Sequence, residues 1–195
     1  MLDADNNFQR WFGPSQVVNP DGSPKIVYHG TRAKFIAFDK DAIAHFGFHV
    51  GTLSQAKKFS KKPMALFAAI SNAIRLPDLG MWGFENVARN VDSRGLGIIN
   101  DAEYEQAWNA NDQSGELRKI LQSKGYDGII YQNEVEGKGE SYVAFEPAQL
   151  KSATDNGGAY DPGDPDITDR KASALQAKAF LQSLDKPKKS RVPHA

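Results

Sequence analysis

Lys25-Ile26-Val27-Tyr28-His29-Gly30-Thr31 decides how the chain is read. An apolar, β-branched run leads straight into a histidine, a glycine and a threonine, so a buried strand ends with a polar side chain and a permissive backbone at its mouth. A strand built this way presents a ligand site. The same pattern also describes a strand followed by a plain turn, with His29 satisfied by a neighbour. Upstream, Val17-Val18-Asn19-Pro20-Asp21-Gly22-Ser23-Pro24 reads as a short strand, a tight turn and a proline that resets the chain. The opening stretch is therefore expected as the second strand of a hairpin. Before that, Phe8, Trp11 and Phe12 fall at i, i+3 and i+4, the aromatic face of one or two helical turns lying on the core.

Composition narrows the function classes. At 195 residues the chain supports one domain with a real core. Its 24 basic and 24 acidic residues cancel, so no global field holds a polyanion and any nucleic-acid binding has to come from a local patch. With no cysteine there are no disulfides, thiolate nucleophiles or sulfur-ligated zinc, a composition that fits a reducing compartment. The four histidines, His29, His45, His49 and His194, are scattered and form no HExxH pair, so no metal is expected. Met1-Leu2-Asp3-Ala4-Asp5 lacks a basic start and no apolar run approaches a membrane span. The expectation is a soluble, cytoplasmic protein, with delivery into a host or target cell as a variant, that works as a monomer and away from membranes.

Downstream of Thr31, Asp39 to His45 suits a short capped helix, and Phe46-Gly47-Phe48-His49-Val50-Gly51-Thr52 a strand where another surface approaches the backbone. Ser54 to Ser60 reads as a helix with Ala56 and Phe59 on one side. Met64 to Ile70 reads as a buried strand, Asn72 to Gly83 as a loop with apolar anchors, and part of Phe84 to Gly97 as helix. Asp101 is expected to cap a helix over Glu103 to Ala110, and Ser114 or Glu116 to begin another that ends at Gly125. Tyr126 to Asn133 and Ser141 to Phe145 make a second hairpin around the acidic loop Glu134 to Glu140. Asn156 to Ile167 is turn chemistry, an ordered-to-flexible strap; 168–185 suits a helix and 186–195 a flexible basic tail. The domain is thus expected over 6–167. Arg94-Gly95-Leu96-Gly97 begins like a dinucleotide fingerprint, but the third glycine and the preceding strand are missing. No P-loop, GxSxG elbow or EF-hand is present.

Taken together, Trp11-Phe12-Gly13, Val27 to Thr31, Phe46 to His49, Leu76-Pro77-Asp78-Leu79-Gly80-Met81-Trp82, Gly125 to Glu134 and Ser141 to Ser152 cover most of residues 8–167. In their order and spacing the chain resembles the ADP-ribosyltransferases, on the diphtheria-toxin and poly-ADP-ribose-polymerase side, and most closely the phage-encoded and polyvalent-protein versions. The resemblance implies an α+β fold with a split β-sheet and peripheral helices. It implies a mono-ADP-ribosyltransferase that moves ADP-ribose from NAD, as substrate, to a macromolecular acceptor, protein rather than nucleic acid, and releases nicotinamide. NAD hydrolysis, RNA 2′-phosphate transfer and a catalytically silent NAD- or partner-binding module are the alternatives.

The resemblance also implies roles. His29 bonds an NAD ribose hydroxyl, the Gly30 backbone pairs with the nicotinamide amide and lets the ligand come close, and Thr31 helps position ribose or amide. Tyr28 belongs to the same motif, with strand alternation turning it toward the core. An aromatic of the second motif, Phe48 or His49, stacks on the nicotinamide, and Phe59 stands as a later stacking aromatic. His49 takes the place of the family's usual tyrosine and is similar to the histidine pair of the RNA 2′-phosphotransferase branch. A carboxylate stabilises the positive charge that develops on the ribose. In the polymerase branch that glutamate directly precedes the aromatic of the last strand, where this chain has Ser141 before Tyr142. Glu140 is the nearest replacement, provided that the hairpin end bulges, because regular alternation turns it to the opposite face. Glu136 and Glu134, in the loop, are the other candidates.

Overall fold

Val27–His29 forms β1, and its ladder partner is β3 (Met64–Ala68), antiparallel, with Val27 opposite Leu66 and His29 opposite Met64. The expected upstream hairpin shrinks to a single bridge between Val18 and Pro24. The Lys25 N–H still donates to the Val17 carbonyl at 3.1 Å, but the Val17 and Gln16 N–H groups turn to the Ser15 hydroxyl at 3.2 Å and the Ile70 carbonyl at 2.7 Å, so the ladder does not extend into β1. This computed structural model describes residues 4–40 and 46–169. The helix expected over 168–185, the basic tail and most of the 39–45 segment lie outside them; Thr168 and Asp169 are described and are not helical.

Two sheets carry the fold: a three-stranded one in the order β1-β3-β7 and a four-stranded one in the order β2-β6-β5-β4. The remaining strands are β2 (Phe48–Val50), β4 (Ala73–Leu76), β5 (Gly128–Gln132), β6 (Glu140–Ala144) and β7 (Leu150–Ser152). The sheets touch at Tyr28 and Gly51, whose N–H groups donate to each other's carbonyls at 2.8 and 3.0 Å. That contact stitches the end of β1 to the end of β2. The split-sheet α+β fold of the ADP-ribosyltransferases is the architecture observed.

Two strands depart from the sequence reading. β4, expected as loop, pairs in parallel with β5, and β7, expected only to lead away from the hairpin, closes the other sheet against β3. Both are short. In β4 only Ile74 and Leu76 are buried before Pro77 ends the strand, and the middle residue of β7 is a lysine, so neither shows a hydrophobic run.

Alternation along β6 separates two cores. Tyr142 and Ala144 join Phe48, Val50, Val27, Leu66 and Ile130 between the sheets, while Val143 and Phe145 join Ile129, Tyr131 and Trp82 beneath the helices. The second core is covered by α3 (Phe84–Val91), α4 (Asp101–Trp108) and α5 (Gln113–Ser123). α4 starts from an Asn100–Glu103 capping box, one residue before the expected Asp101 cap, and α5 from Asp112, whose carboxylate accepts from the Gly115 N–H. Each such cap is worth about 1 kcal/mol. Gly125, with φ +89°, closes α5 as the sequence indicates. α1 (Ala4–Phe12) lays Phe8 edge-on against Phe67 of β3, and the Trp11 indole donates to the Ala148 carbonyl at 3.0 Å.

The turn-rich strap is fastened, not loose. Lys151 and Asp169 are fully buried and 2.7 Å apart, and the Lys151 ammonium also donates to the carbonyls of Asp164 and Asp166 at 2.8 and 2.9 Å. Three donors meet three acceptors, which is the condition under which a buried ammonium is tolerated. Ile167, 2% exposed, anchors the same segment in the core between the sheets.

Candidate functional site

A cavity of about 590 Å³ opens where β1 and β2 are stitched together. Of the residues singled out from sequence, Tyr28, His29, Gly30, Phe48, His49, Phe59, Glu136 and Ser141 line it, and Thr31 and Glu140 do not. Tyr28, expected in the core, belongs to neither core cluster and is a half-buried wall of the cavity. Its place follows from the stitch to Gly51, which brings the end of β2 alongside it.

His29 is held in one state. Its Nδ1 lies 2.8 Å from the His49 carbonyl, and a carbonyl only accepts, so Nδ1 carries the proton and Nε2 of the neutral ring is an acceptor. Burial depresses its pKa below the ordinary 6.5, opposed in part by that backbone hydrogen bond. The ring is edge-packed against Phe38 at 5.0 Å and Phe35 at 6.2 Å, which fixes its plane. Gly30 is required by protein packing: a Cβ there would lie 2.5 Å from the Ala56 carbonyl oxygen and 2.9 Å from the Phe59 Cβ. The glycine lets α2 (Leu53–Ala56), and not only a ligand, come close.

Aromatic rings form the floor. Phe48 packs on Phe38 at 5.2 Å; His49 meets Trp82 at 5.5 Å and Tyr131 at 6.3 Å; and Trp82 and Tyr131 lie 4.3 Å apart. Burial, more than any neighbouring charge, pushes the Tyr131 phenol well up, so it stays protonated. Phe59, 51% exposed, stands at the rim. The helix read over Ser54 to Ser60 stops at Ala56, so Phe59 follows the helix. Thr31 points its hydroxyl to the Ala33 N–H at 3.1 Å and lines a neighbouring cleft instead.

The acidic side of the site differs from the expected order. β5 and β6 pair without a bulge, Gln132 opposite Glu140, Tyr131 opposite Ser141 and Ile130 opposite Tyr142. Regular alternation therefore turns Glu140 away from Ser141 and the cavity. It accepts from the Tyr142 hydroxyl at 3.0 Å and from Arg75 at 3.4 Å, with Lys25 at 4.0 Å. Asp39 also lines the cavity, and on the acidic loop the carboxylate that does so is Glu136. Asn133 holds it at both ends, its amide donating to Glu136 Oε2 at 2.7 Å and its carbonyl oxygen accepting the Glu136 N–H at 2.7 Å. Ser141 is 3% exposed; its hydroxyl accepts from Asn133 at 3.0 Å and donates to Gln55 Oε1 at 3.1 Å.

Sequence reasoning missed three positioning residues. Gln55 accepts the Thr52 N–H at 2.6 Å and donates to the carbonyls of Gly137 at 2.7 Å and Gly139 at 3.3 Å, which ties α2 to the acidic loop. Its signal was the capping-box spacing Thr52-x-x-Gln55. Asn133, three residues before Glu136, is the second. Asp78 is the third, its carboxylate accepting the N–H groups of Glu134 at 2.8 Å and Val135 at 3.2 Å. Burial alone would raise the Asp78 pKa, but those N–H groups and that of Gly80 outweigh it and hold the carboxyl below its ordinary value. Among the described residues no group of three or more His, Asp or Glu is disposed to hold a metal ion. Nor is any helix among them long and apolar enough to cross a membrane.

A split sheet with an aromatic-floored cavity at the end of β1 is the arrangement of an ADP-ribosyltransferase-like α+β domain. The family model for the ADP-ribosyltransferase in polyvalent proteins matches residues 19–160, and the chain belongs to that family. No curated protein matches the chain. A solved structure titled as an anti-CRISPR protein is similar with a TM-score of 0.36 and 13% identity, over 71% of this chain and 96% of that one.

Proposed function

We propose that the protein transfers ADP-ribose from NAD to a macromolecular acceptor and releases nicotinamide. The reading is carried by one observation: the single cavity that takes in His29 and Gly30 also takes in an oriented carboxylate, Glu136. The bond to be broken joins ribose C1′ to the nicotinamide nitrogen, and its cleavage leaves positive charge on the ribose. His29, neutral and with Nε2 as acceptor, binds a ribose hydroxyl. The Gly30 backbone pairs with the nicotinamide amide, and Phe48 and His49 supply ring surface for it. Glu136, fixed by Asn133, stabilises the ribose cation as the C1′–N bond breaks and its electron pair neutralises the pyridinium. The acceptor's nucleophile forms the new bond to C1′, and its proton passes to Glu136 or to water.

Incubation with NAD labelled in its adenylate half tests this reading. Label on a macromolecule with stoichiometric nicotinamide is the expected result; free ADP-ribose alone would mark a hydrolase. NAD binding by calorimetry with no nicotinamide release would mark a silent module. Glu136→Gln is expected to slow release by about 10²–10³-fold while leaving NAD affinity nearly unchanged, the pattern of a group that acts in the transition state.

A further inference from the structure

Beside the NAD-type cavity, and sharing Ala33, Phe35 and Phe59 with it, lies a second cleft of about 770 Å³. Arg32, Lys34, Lys57, Lys58, Lys61 and Lys62 line it, and no carboxylate does. All six are exposed, and among the described residues none of them forms an ion pair. In a chain whose formal charge is zero, this concentration of one sign is a local field and not a reflection of composition. Four of the cations bracket Phe59 in Lys57-Lys58-Phe59-Ser60-Lys61-Lys62, and that ring is 51% exposed. Cations that neutralise phosphates, interleaved with an open aromatic face, are the means by which proteins hold single strands irrespective of sequence. Bases in a duplex are stacked on each other and cannot reach such a ring.

We propose that this cleft binds single-stranded nucleic acid and that the strand is the acceptor, led past Phe59 to the mouth of the cavity. The inference rests on the reading of the cavity as an NAD site. Charge complementarity favours this occupant over a protein, because the cleft offers no carboxylate to pair with a mixed-charge surface. Contact with four phosphates would give log K a slope near −3 against log salt, about −0.7 for each phosphate.

The test uses the full chain with fluorescein-labelled 15-nucleotide oligo-deoxythymidine and oligo-uridine, followed by anisotropy across a salt series. The native chain is expected to bind one or both, the pair separating DNA from RNA. Replacing Lys57, Lys58, Lys61 and Lys62 together by Glu should weaken binding at least tenfold with NAD affinity within about twofold, since exposed side chains leave the fold intact. Phe59→Ala should cost about fivefold or more. With labelled NAD, radioactivity should appear on the oligonucleotide. Absence of oligonucleotide binding by a chain that still binds NAD overturns the inference, as does label on added proteins with none on the strand. So does a quadruple variant that loses NAD instead, for the cleft then serves the dinucleotide. Failure of the cavity's own reading has a different signature: oligonucleotide binding retained with no NAD binding.

Discussion

The two walls of the cavity are built by different physics. On one side, β1 ends in His29 and leads into Gly30, with the hydrogen bond to the His49 carbonyl selecting the tautomer and Phe35 and Phe38 fixing the ring plane. On the other, Glu136 sits on an irregular loop whose position is imposed from outside it by Asp78, Gln55 and Asn133. The first wall is encoded where it lies. The second is encoded up to about eighty residues away, since Gln55 and Gly137 are separated by 82 positions. A wall that is rigid by secondary structure, the one proposed to bind, thus faces a wall proposed to be reactive that is rigid only while a side-chain network holds it.

Breaking the strand-built wall should have the largest effect on NAD affinity. His29→Ala removes the acceptor proposed for the ribose hydroxyl and orphans a carbonyl of β2, so NAD affinity measured by calorimetry should fall by about a hundredfold. Cutting the network on the other wall comes next. Gln55→Leu keeps the volume but removes the links to Gly137 and Gly139, and nicotinamide release should slow by about tenfold with NAD affinity nearly retained. Gly30→Ala forces its Cβ against the Ala56 carbonyl, a clash that only backbone movement relieves; denaturant titration should show a loss of about 1–3 kcal/mol.

The smallest effect concerns pH and belongs to the His29 wall. Because burial keeps the folded His29 pKa below 6.5, NAD affinity should be flat above that pH and weaken below it, as Nε2 takes a proton. Stability shares the direction. Below pH 6.5 the unfolded chain binds a proton at His29 that the folded chain refuses, so this residue's contribution falls as pH drops through that window, and a His29→Gln chain should lose that part of the slope.

Sequence periodicity reached the first wall and stopped at the second. Val27-Tyr28-His29-Gly30 could be read because a strand needs only its own alternation to say which side chains emerge where. β4 and β7 could not, having three or four residues each and, in β7, a lysine whose burial depends on Asp169. The choice between Glu140 and Glu136 turned on whether the β5–β6 ladder bulges, a property of pairing register that no composition reveals. Gln55 and the lysines around Phe59 left legible marks, a capping box and a basic run with an aromatic inside it. What those marks served became visible only when α2 was placed between the acidic loop and β1.

The assignment of the reactive carboxylate is the centre of the account, and one paired measurement addresses it directly: the rate of nicotinamide release from NAD by Glu136→Gln and by Glu140→Gln at saturating NAD. With Glu136 in the cavity and Glu140 engaged with Arg75 and Tyr142 on the opposite face, the first variant should be nearly inactive and the second close to the native chain. A native rate in Glu136→Gln together with a collapsed rate in Glu140→Gln would contradict it.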